Sequence, residues 1–180
     1  MNGFAAVLVL LGVFWTQTSA LETYTLGQPG ANYVTGTMTI DNENNIAEVH
    51  VRSGVYSSDS IFDFSRGYVA TRLFSRNACY IMKINKGTIP ELREIGRVAF
   101  ERQTMNKVYS PYNVWVQFQS GRSLLGRIRD WFVYGRAIER LCSGLPLYEL
   151  AETKPLMNPQ NCANAGIPGI VNLNICENPN

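Results

Sequence analysis

Apolar and polar residues alternate strictly along two segments near the start of the chain. Residues 46–52 place Ala47, Val49 and Val51 on one face, and charged side chains point the other way. Residues 34–40 alternate in the same manner, and the polar run 41–45 between the two segments is typical of a turn. The pattern predicts a β-hairpin with one buried and one solvated face.

Residues 61–84 contain three short runs rich in aromatic and branched side chains, separated by turn residues at 65–67 and 75–77. Runs of this length and composition predict three adjacent strands of an antiparallel meander. A polar loop over residues 54–60 leads into them. Residues 21–33, which precede the hairpin, show no clear period and predict a loose N-terminal arm.

Asp63 lies between Phe62 and Phe64, within the first of these three runs. An aspartate in an apolar strand must find hydrogen-bond donors or remain protonated. It therefore either caps the turn that follows the strand or is a largely buried carboxyl that prefers its neutral form. The sequence leaves both alternatives open.

Helical periodicity appears twice in the second half of the chain. Leu92, Ile95 and Ala99 lie on one side of a helix that begins near residue 90, and we expect about five turns. Thr88 and Glu91 predict a capping box at its start. Residues 123–142 predict a second helix, at least over their second half, divided by Gly135. Strands are predicted at 112–118 and 145–150.

The first 20 residues predict a cleaved signal peptide. An apolar run of about 12 residues is too short to span a bilayer, and Thr18 and Ala20 match a signal-peptidase site. No later stretch predicts a membrane span. In an oxidising compartment the four cysteines, Cys79, Cys142, Cys162 and Cys176, are expected to form two disulfides. Three pairings are open, and the sequence alone does not choose between them.

Composition argues against several classes of function. A net charge of +2 is too small to indicate nucleic-acid binding, and the five arginines between residues 122 and 140 indicate a solvated face. A single histidine, His50, is too few for a zinc site and is expected on the surface. No motif supplies a nucleophile with a base, so we expect no enzymatic activity, no metal and no cofactor.

The last 30 residues contain one strand-forming stretch. Residues 170–175 carry no charge and no proline, which is typical of segments prone to strand stacking. Alternation places Val171, Leu173 and Ile175 on one face and Ile170 on the other. An exposed strand of this kind is an aggregation hazard, so we expect another part of the protein to cover or pair it.

Several segments together resemble the gastrokines, secreted proteins of the gastric mucosa that are built on a BRICHOS domain. These are IDNENN in the hairpin, FDF-x-x-GYVATRLFSRNACYIMK in the meander, TIPEL at the first helix and ERLCSGLPLYE near the second. The resemblance implies an α+β fold: a five-stranded antiparallel sheet with a helix on each face. It divides the chain into a signal peptide (1–20), an arm and hairpin (21–53), a BRICHOS domain (54–150) and a tail (151–180).

Three positions match the residues that BRICHOS domains share, namely Asp63, Cys79 and Cys142. The resemblance implies a Cys79–Cys142 disulfide, which leaves Cys162–Cys176 to close the tail. The segment 170–175 then either packs as a hairpin or edge strand held by that disulfide, or is bound by the BRICHOS sheet as a built-in client.

The resemblance also implies a function: a secreted, chaperone-like protein that acts against aggregation, protects the gastric mucosa and restrains epithelial growth. Its expected partners are aggregation-prone β-strand segments or its own tail, together with a mucosal protein. Four cysteines that can pair internally argue against a disulfide-linked heterodimer. The alternative is a secreted signalling ligand for an unidentified receptor.

Overall fold

Strands dominate the computed structural model, which describes residues 21–27, 35–124, 131–155 and 161–178. The predicted signal peptide, residues 1–20, lies outside the described residues. Within the described ranges, eleven strands form two sheets, one of seven strands and one of four. No helix in these ranges is long and apolar enough to cross a membrane.

The larger sheet is an antiparallel meander of six consecutive strands, and a seventh joins it in parallel. In spatial order its strands are β1 (Leu21–Gly27), β2 (Thr35–Asp41), β3 (Ile46–Arg52), β4 (Ser58–Asp63), β5 (Tyr68–Leu73), β6 (Ala78–Lys83) and β8 (Leu147–Glu149). The predicted hairpin and the predicted meander are both confirmed.

Two segments of this sheet differ from the sequence-based expectation. The prediction of a loose N-terminal arm is wrong for residues 21–27, because β1 pairs with β2 over seven residues and buries Tyr24 and Leu26. The prediction of a polar loop over residues 54–60 is wrong for its last three residues, because β4 already begins at Ser58. A single 3-10 turn, Gly54–Tyr56, connects β3 to that strand.

The smaller sheet joins the tail to a strand from the middle of the chain. Its spatial order is β10 (Cys162–Ile167), β11 (Val171–Asn178), β7 (Tyr112–Gln119) and β9 (Ala151–Glu152). The strand predicted at 112–118 is confirmed as β7, and the stretch 170–175 lies largely in β11. The two tail strands form an antiparallel hairpin, whereas β11 runs parallel to β7.

Two α-helices pack on opposite faces of the larger sheet. Helix α1 (Leu92–Met105) buries Leu92, Ile95, Val98 and Ala99 and has about four turns rather than five. Its N-cap is Glu91, without a side-chain bond, so the predicted capping box is wrong. Thr88 instead closes a turn on Asn85, and its hydroxyl donates to Glu152.

Helix α2 (Arg136–Cys142) confirms the helix predicted in the second half of 123–142, and Gly135 is its N-cap. Residues 125–130 of that prediction lie outside the described residues. Ile138 and Cys142 are fully buried against the sheet. They belong to a core of their own with Ile61 and Ile81, on the face opposite α1.

The core on the α1 side is larger and combines residues from the hairpin, the meander, α1 and the tail. The smaller sheet packs there, so Leu173 and Ile175 of the tail share one core with Met38 and Phe62. The sheet therefore carries a helix on each face, as expected. It has seven strands rather than five, because β1, β2 and β3 extend the ladder of β4, while β7 belongs to the smaller sheet.

The geometry of the tail hairpin predicts that Gly166 cannot be replaced without a loss of stability. Gly166 of β10 has φ of +99°, and a Cβ there would overlap the carbonyl oxygen of Val171. We expect Gly166→Ala to lower the free energy of unfolding by about 2 kcal/mol or more. The control is Gly121→Ala, where a Cβ meets nothing within 4 Å, and its effect should stay within about 0.5 kcal/mol. Urea denaturation measures both, and equal effects would contradict the packing described for β10.

Candidate functional site

Asp63 ends β4 and organises the turn into β5. Its carboxyl is almost fully buried, and Oδ1 accepts hydrogen bonds from the Ser65 hydroxyl at 2.6 Å and from the Arg66 backbone N–H at 2.9 Å. The Arg66 guanidinium lies 3.5 Å from Oδ2. The Asp63 carbonyl accepts from the N–H of Gly67 at 2.8 Å, which closes the turn. Of the two alternatives, these contacts favour the turn cap, because donors and a cation surround the carboxyl.

Arg66 connects this turn to helix α2. Gly135, the N-cap of α2, has φ of +86°, and a Cβ there would lie 2.9 Å from Cδ of Arg66. The arginine stem therefore packs directly on the glycine backbone while its charged end reaches Asp63. The start of α2 is held against the β4–β5 turn by one side chain.

The other end of α2 is bound covalently to the sheet. Cys142, the last residue of the helix, forms a disulfide with Cys79 of β6, with a Cα–Cα distance of 5.5 Å. The pairing implied by the resemblance is confirmed. A cross-link over 63 residues stabilises the fold by about 4 kcal/mol on chain-entropy arguments.

A groove of about 880 Å³ runs along this face, between α2 and the strands from β1 to β4. We call it the helix groove, and Asp63, Arg66, Trp131, Phe132 and Arg140 are among its lining residues. Acidic and basic side chains both line the helix groove, so its electrostatic potential is not of one sign. Beside the groove, Tyr134 packs edge-on against Tyr68, and their ring centroids are 4.9 Å apart.

The tail strand occupies a slot between β10 and β7, which we call the tail slot. Strand β11 pairs with β7 over eight residues, from Val171 opposite Tyr112 to Asn178 opposite Gln119. Val171, Leu173 and Ile175 are fully buried, as their alternation predicts, and Ile170 is buried just before the strand. An uncharged, strand-forming segment is therefore held on both edges.

Two contacts hold the hairpin of the tail in place. Cys162 and Cys176 form the second disulfide, which confirms the remaining pairing, and no cysteine of the chain is free. At the turn of the hairpin, Arg102 of α1 donates to the carbonyl of Pro168 at 3.1 Å. Gly169 allows that approach, because a Cβ there would overlap the guanidinium.

His50 lies on the surface, as expected, with its side chain half exposed. Its Nδ1 is 2.8 Å from the Asp59 carboxylate, which also accepts from Arg52 at 2.7 Å. Burial alone would raise the pKa of Asp59, but the hydrogen bonds from Arg52 and His50 outweigh it and hold the pKa below its usual range. Among the described residues, no group of three or more His, Cys, Asp or Glu is placed to hold a metal.

The sequence analysis missed Arg66 as a site residue, although it assigned residues 65–67 to a turn. The available signal was the Asp-x-Ser-Arg-Gly spacing, because a strand-end aspartate bonds backbone and side-chain donors two or three residues further on. The contact of Arg66 with Gly135 joins residues far apart in the chain, and no local pattern announces it.

Comparison with known proteins agrees with this geometry. The family described as BRICHOS domain matches residues 54–149, which include Asp63 and both cysteines of the Cys79–Cys142 bridge. The chain is thus a BRICHOS-domain protein.

Similarity to curated proteins extends beyond that domain. Gastrokine-2 of Rattus norvegicus is 41% identical over 98% of this chain and 97% of its own length, and Gastrokine-2 of Mus musculus is 39% identical over the same shares. Gastrokine-1 of Homo sapiens is 26% identical over 77% of this chain and 76% of its own. The chain belongs to the gastrokine family. No solved structure matches it significantly.

The two interpretations of Asp63 predict opposite effects of Asp63→Asn. The turn cap predicts destabilisation at pH 7 by about 1–3 kcal/mol, because a charged acceptor is lost in front of Ser65 and Arg66. A carboxyl that is neutral in the fold predicts no loss, or a gain. Chemical denaturation at pH 7 decides between them, with Asp63→Ala as the more damaging control because it removes the acceptor entirely.

The Asp59 cluster predicts a pH dependence. Because the pKa of Asp59 is lowered by folding, its contribution to stability is present above the unfolded value of about 3.9 and is lost as pH falls through the folded value. We expect Asp59→Asn to cost about 0.5–1 kcal/mol at pH 7, after solvent screening, and nothing near pH 2. Glu43→Gln, in the exposed β2–β3 turn, is the control. A pH-independent difference in unfolding free energy would contradict the ion cluster.

Proposed function

We propose that this gastrokine is a secreted, non-enzymatic protein whose BRICHOS domain binds uncharged, strand-forming segments and keeps them from aggregating. One observation carries the proposal: a segment of that composition lies in the tail slot, paired with β7 of the BRICHOS span. Strand addition supplies affinity through the main chain, and pockets for alternate side chains supply selectivity.

The chemistry of the tail slot supports a preference for such segments. Val171, Leu173 and Ile175 bury their side chains in the core, while Asn172 and Asn174 face outward and donate to Asn113 and Val114. A charged side chain at any of the three buried positions would be desolvated without a partner. Aggregation-prone segments share the acceptable pattern, because they combine strand propensity with low charge.

In this proposal the tail is an intramolecular client that occupies the slot until a client replaces it. The two disulfides suit an oxidising, extracellular compartment, which agrees with secretion. Protection of the gastric mucosa and restraint of epithelial growth belong to this proposal only because membership of the gastrokine family implies them. A mucosal protein partner would bind non-covalently, because all four cysteines are paired.

The test loosens the tail in the full mature chain. Removing the Cys162–Cys176 bridge by a double Cys→Ala substitution weakens the hairpin by about 3 kcal/mol on chain-entropy arguments. We expect this variant, at substoichiometric ratio, to lengthen the lag phase of amyloid-β fibril growth more than wild type does. A peptide spanning residues 168–176 should reverse the gain, because it refills the slot.

Val98→Ala is the matched control. It removes buried volume on α1 and lowers stability while the Cys162–Cys176 bridge and the backbone pairing of β11 with β7 stay intact. If this control lengthens the lag phase as much as the bridge variant, general loosening rather than slot exposure is responsible. If wild type and bridge variant both leave fibril growth unchanged while the protein binds cells saturably, the alternative of a signalling ligand is supported and the chaperone proposal is wrong.

A further inference from the structure

A second groove, of about 340 Å³, lies at the outer edge of the smaller sheet. Strand β10 forms one wall, and the segment that joins β3 to β4 forms the other. Its polar lining residues are Ser53, Tyr56, Ser58, Asn164, Asn172 and Asn174. We call it the edge groove. It is separate from the helix groove and adjoins the tail slot through Asn172 and Asn174 of β11, but the inference below does not rest on the proposed function.

The edge groove has a neutral lining. None of its described lining residues is Asp, Glu, Lys, Arg or His. Its polar groups are hydroxyls and carboxamides, which can both donate and accept hydrogen bonds. An ionic ligand would therefore lose its hydration without gaining a counter-charge. The lining favours a neutral ligand that is itself rich in donors and acceptors.

Ser58 provides the strongest evidence for such a ligand. It is only 1% exposed, and its hydroxyl has no hydrogen-bond partner among the described residues. By contrast, Ser60, two residues along the same face of β4, pairs its hydroxyl with Thr71 at 2.9 Å. Buried polar groups are nearly always satisfied, so an unpaired hydroxyl at a groove calls for a functional explanation.

The asparagines add acceptors to the same groove. The amide nitrogens of Asn172 and Asn174 donate to Asn113 and Val114, at 3.1 and 3.4 Å. Each therefore keeps its carbonyl oxygen for another donor. The side chain of Asn164 makes no hydrogen bond within the described structure and is exposed. Together with the hydroxyl of Ser58, these side chains offer several acceptors and two kinds of donor in a small volume.

Tyr56 supplies an apolar surface beside these polar groups. It ends the 3-10 turn and is 62% exposed, so its ring is accessible from the groove. An aromatic ring offers a flat apolar face with a polar tip. Sugar rings match this combination, because they present a face of C–H groups and a rim of hydroxyls. We propose that the edge groove binds a neutral saccharide, with the sugar ring on Tyr56 and its hydroxyls on Ser58 and the asparagines.

The size of the groove limits the ligand. A volume of about 340 Å³ is at the lower end of the range for small-molecule sites, so it accommodates one or two sugar rings. An extended peptide added to the edge of β10 is the competing ligand. Strand addition requires pockets for alternate side chains. The unpaired groups here are instead hydroxyls and carboxamides, so the observations favour the saccharide.

The experiment titrates the full mature chain, labelled with ¹⁵N, with a panel of neutral sugars: galactose, N-acetylglucosamine, fucose and N-acetyllactosamine. At least one should shift the amide resonances of Tyr56, Ser58 and Asn164 with saturation. Adding a sialic acid to the binding sugar should weaken it by about fivefold or more, because the groove has no cation for the carboxylate. No shift at these residues with any of the sugars at 50 mM would overturn the proposal.

Variants separate recognition from folding. Tyr56→Ala should weaken binding about tenfold, whereas Phe100→Ala, which removes an exposed ring from α1, should not change it. Ser58→Ala should weaken binding without lowering the midpoint of thermal unfolding, because its hydroxyl has no partner to lose. Unchanged sugar binding in both groove variants would overturn the proposal. So would shifts of the same resonances by the 168–176 peptide and not by sugars, which would assign the groove to peptides.

Discussion

The larger sheet has two apolar faces, and most of the structure follows from the need to cover both. In β4 and β6 nearly every residue is buried, so neither side of the sheet centre can meet water. Helix α2 covers one face, but it has only seven residues, so contacts at both of its ends are required to hold it on the sheet. Arg66 holds its start and the Cys79–Cys142 bridge holds its end. The Asp63 turn matters because it positions Arg66.

The other face is covered by two layers of different origin. Helix α1 covers part of it, and the smaller sheet covers the rest through β7 and the tail. The tail is therefore a structural part of the protein as well as a candidate client. Apolar area removed from water contributes about 25 cal/mol per Å², so the buried tail residues add to the stability of this core.

Local patterns predicted the elements well but not their partners. Alternation in 46–52 and the composition of 61–84 gave the right strands, and the alternation in 170–175 gave the right buried face. The partner of β11 was out of reach, because its parallel pairing with β7 joins residues about 60 apart without a local signal. Strand β1 was missed because only Tyr24 and Leu26 are buried in it, too few to show a period. Asp63 stood out because it lies between Phe62 and Phe64, whereas the cysteine pairing came from the family resemblance alone. Arg66, Ser58 and Tyr56 come to their candidate sites only through the fold, so no local pattern identifies them.

The position of the tail constrains how a client could bind. Five apolar tail residues, Ile167, Ile170, Val171, Leu173 and Ile175, are no more than 2% exposed, so simple release would expose a large part of the core. Under the proposed function, exchange would therefore proceed through a minor state in which β11 separates from β7 while the remaining core persists. The apparent affinity for such a client would then be lower than the intrinsic affinity by the fraction of molecules in that state. The disulfide between Cys162 and Cys176 reduces this fraction because it keeps β11 beside β10. A strand that replaced β11 would also have to satisfy the core, so the proposed function implies selection for the same apolar alternation that the tail displays.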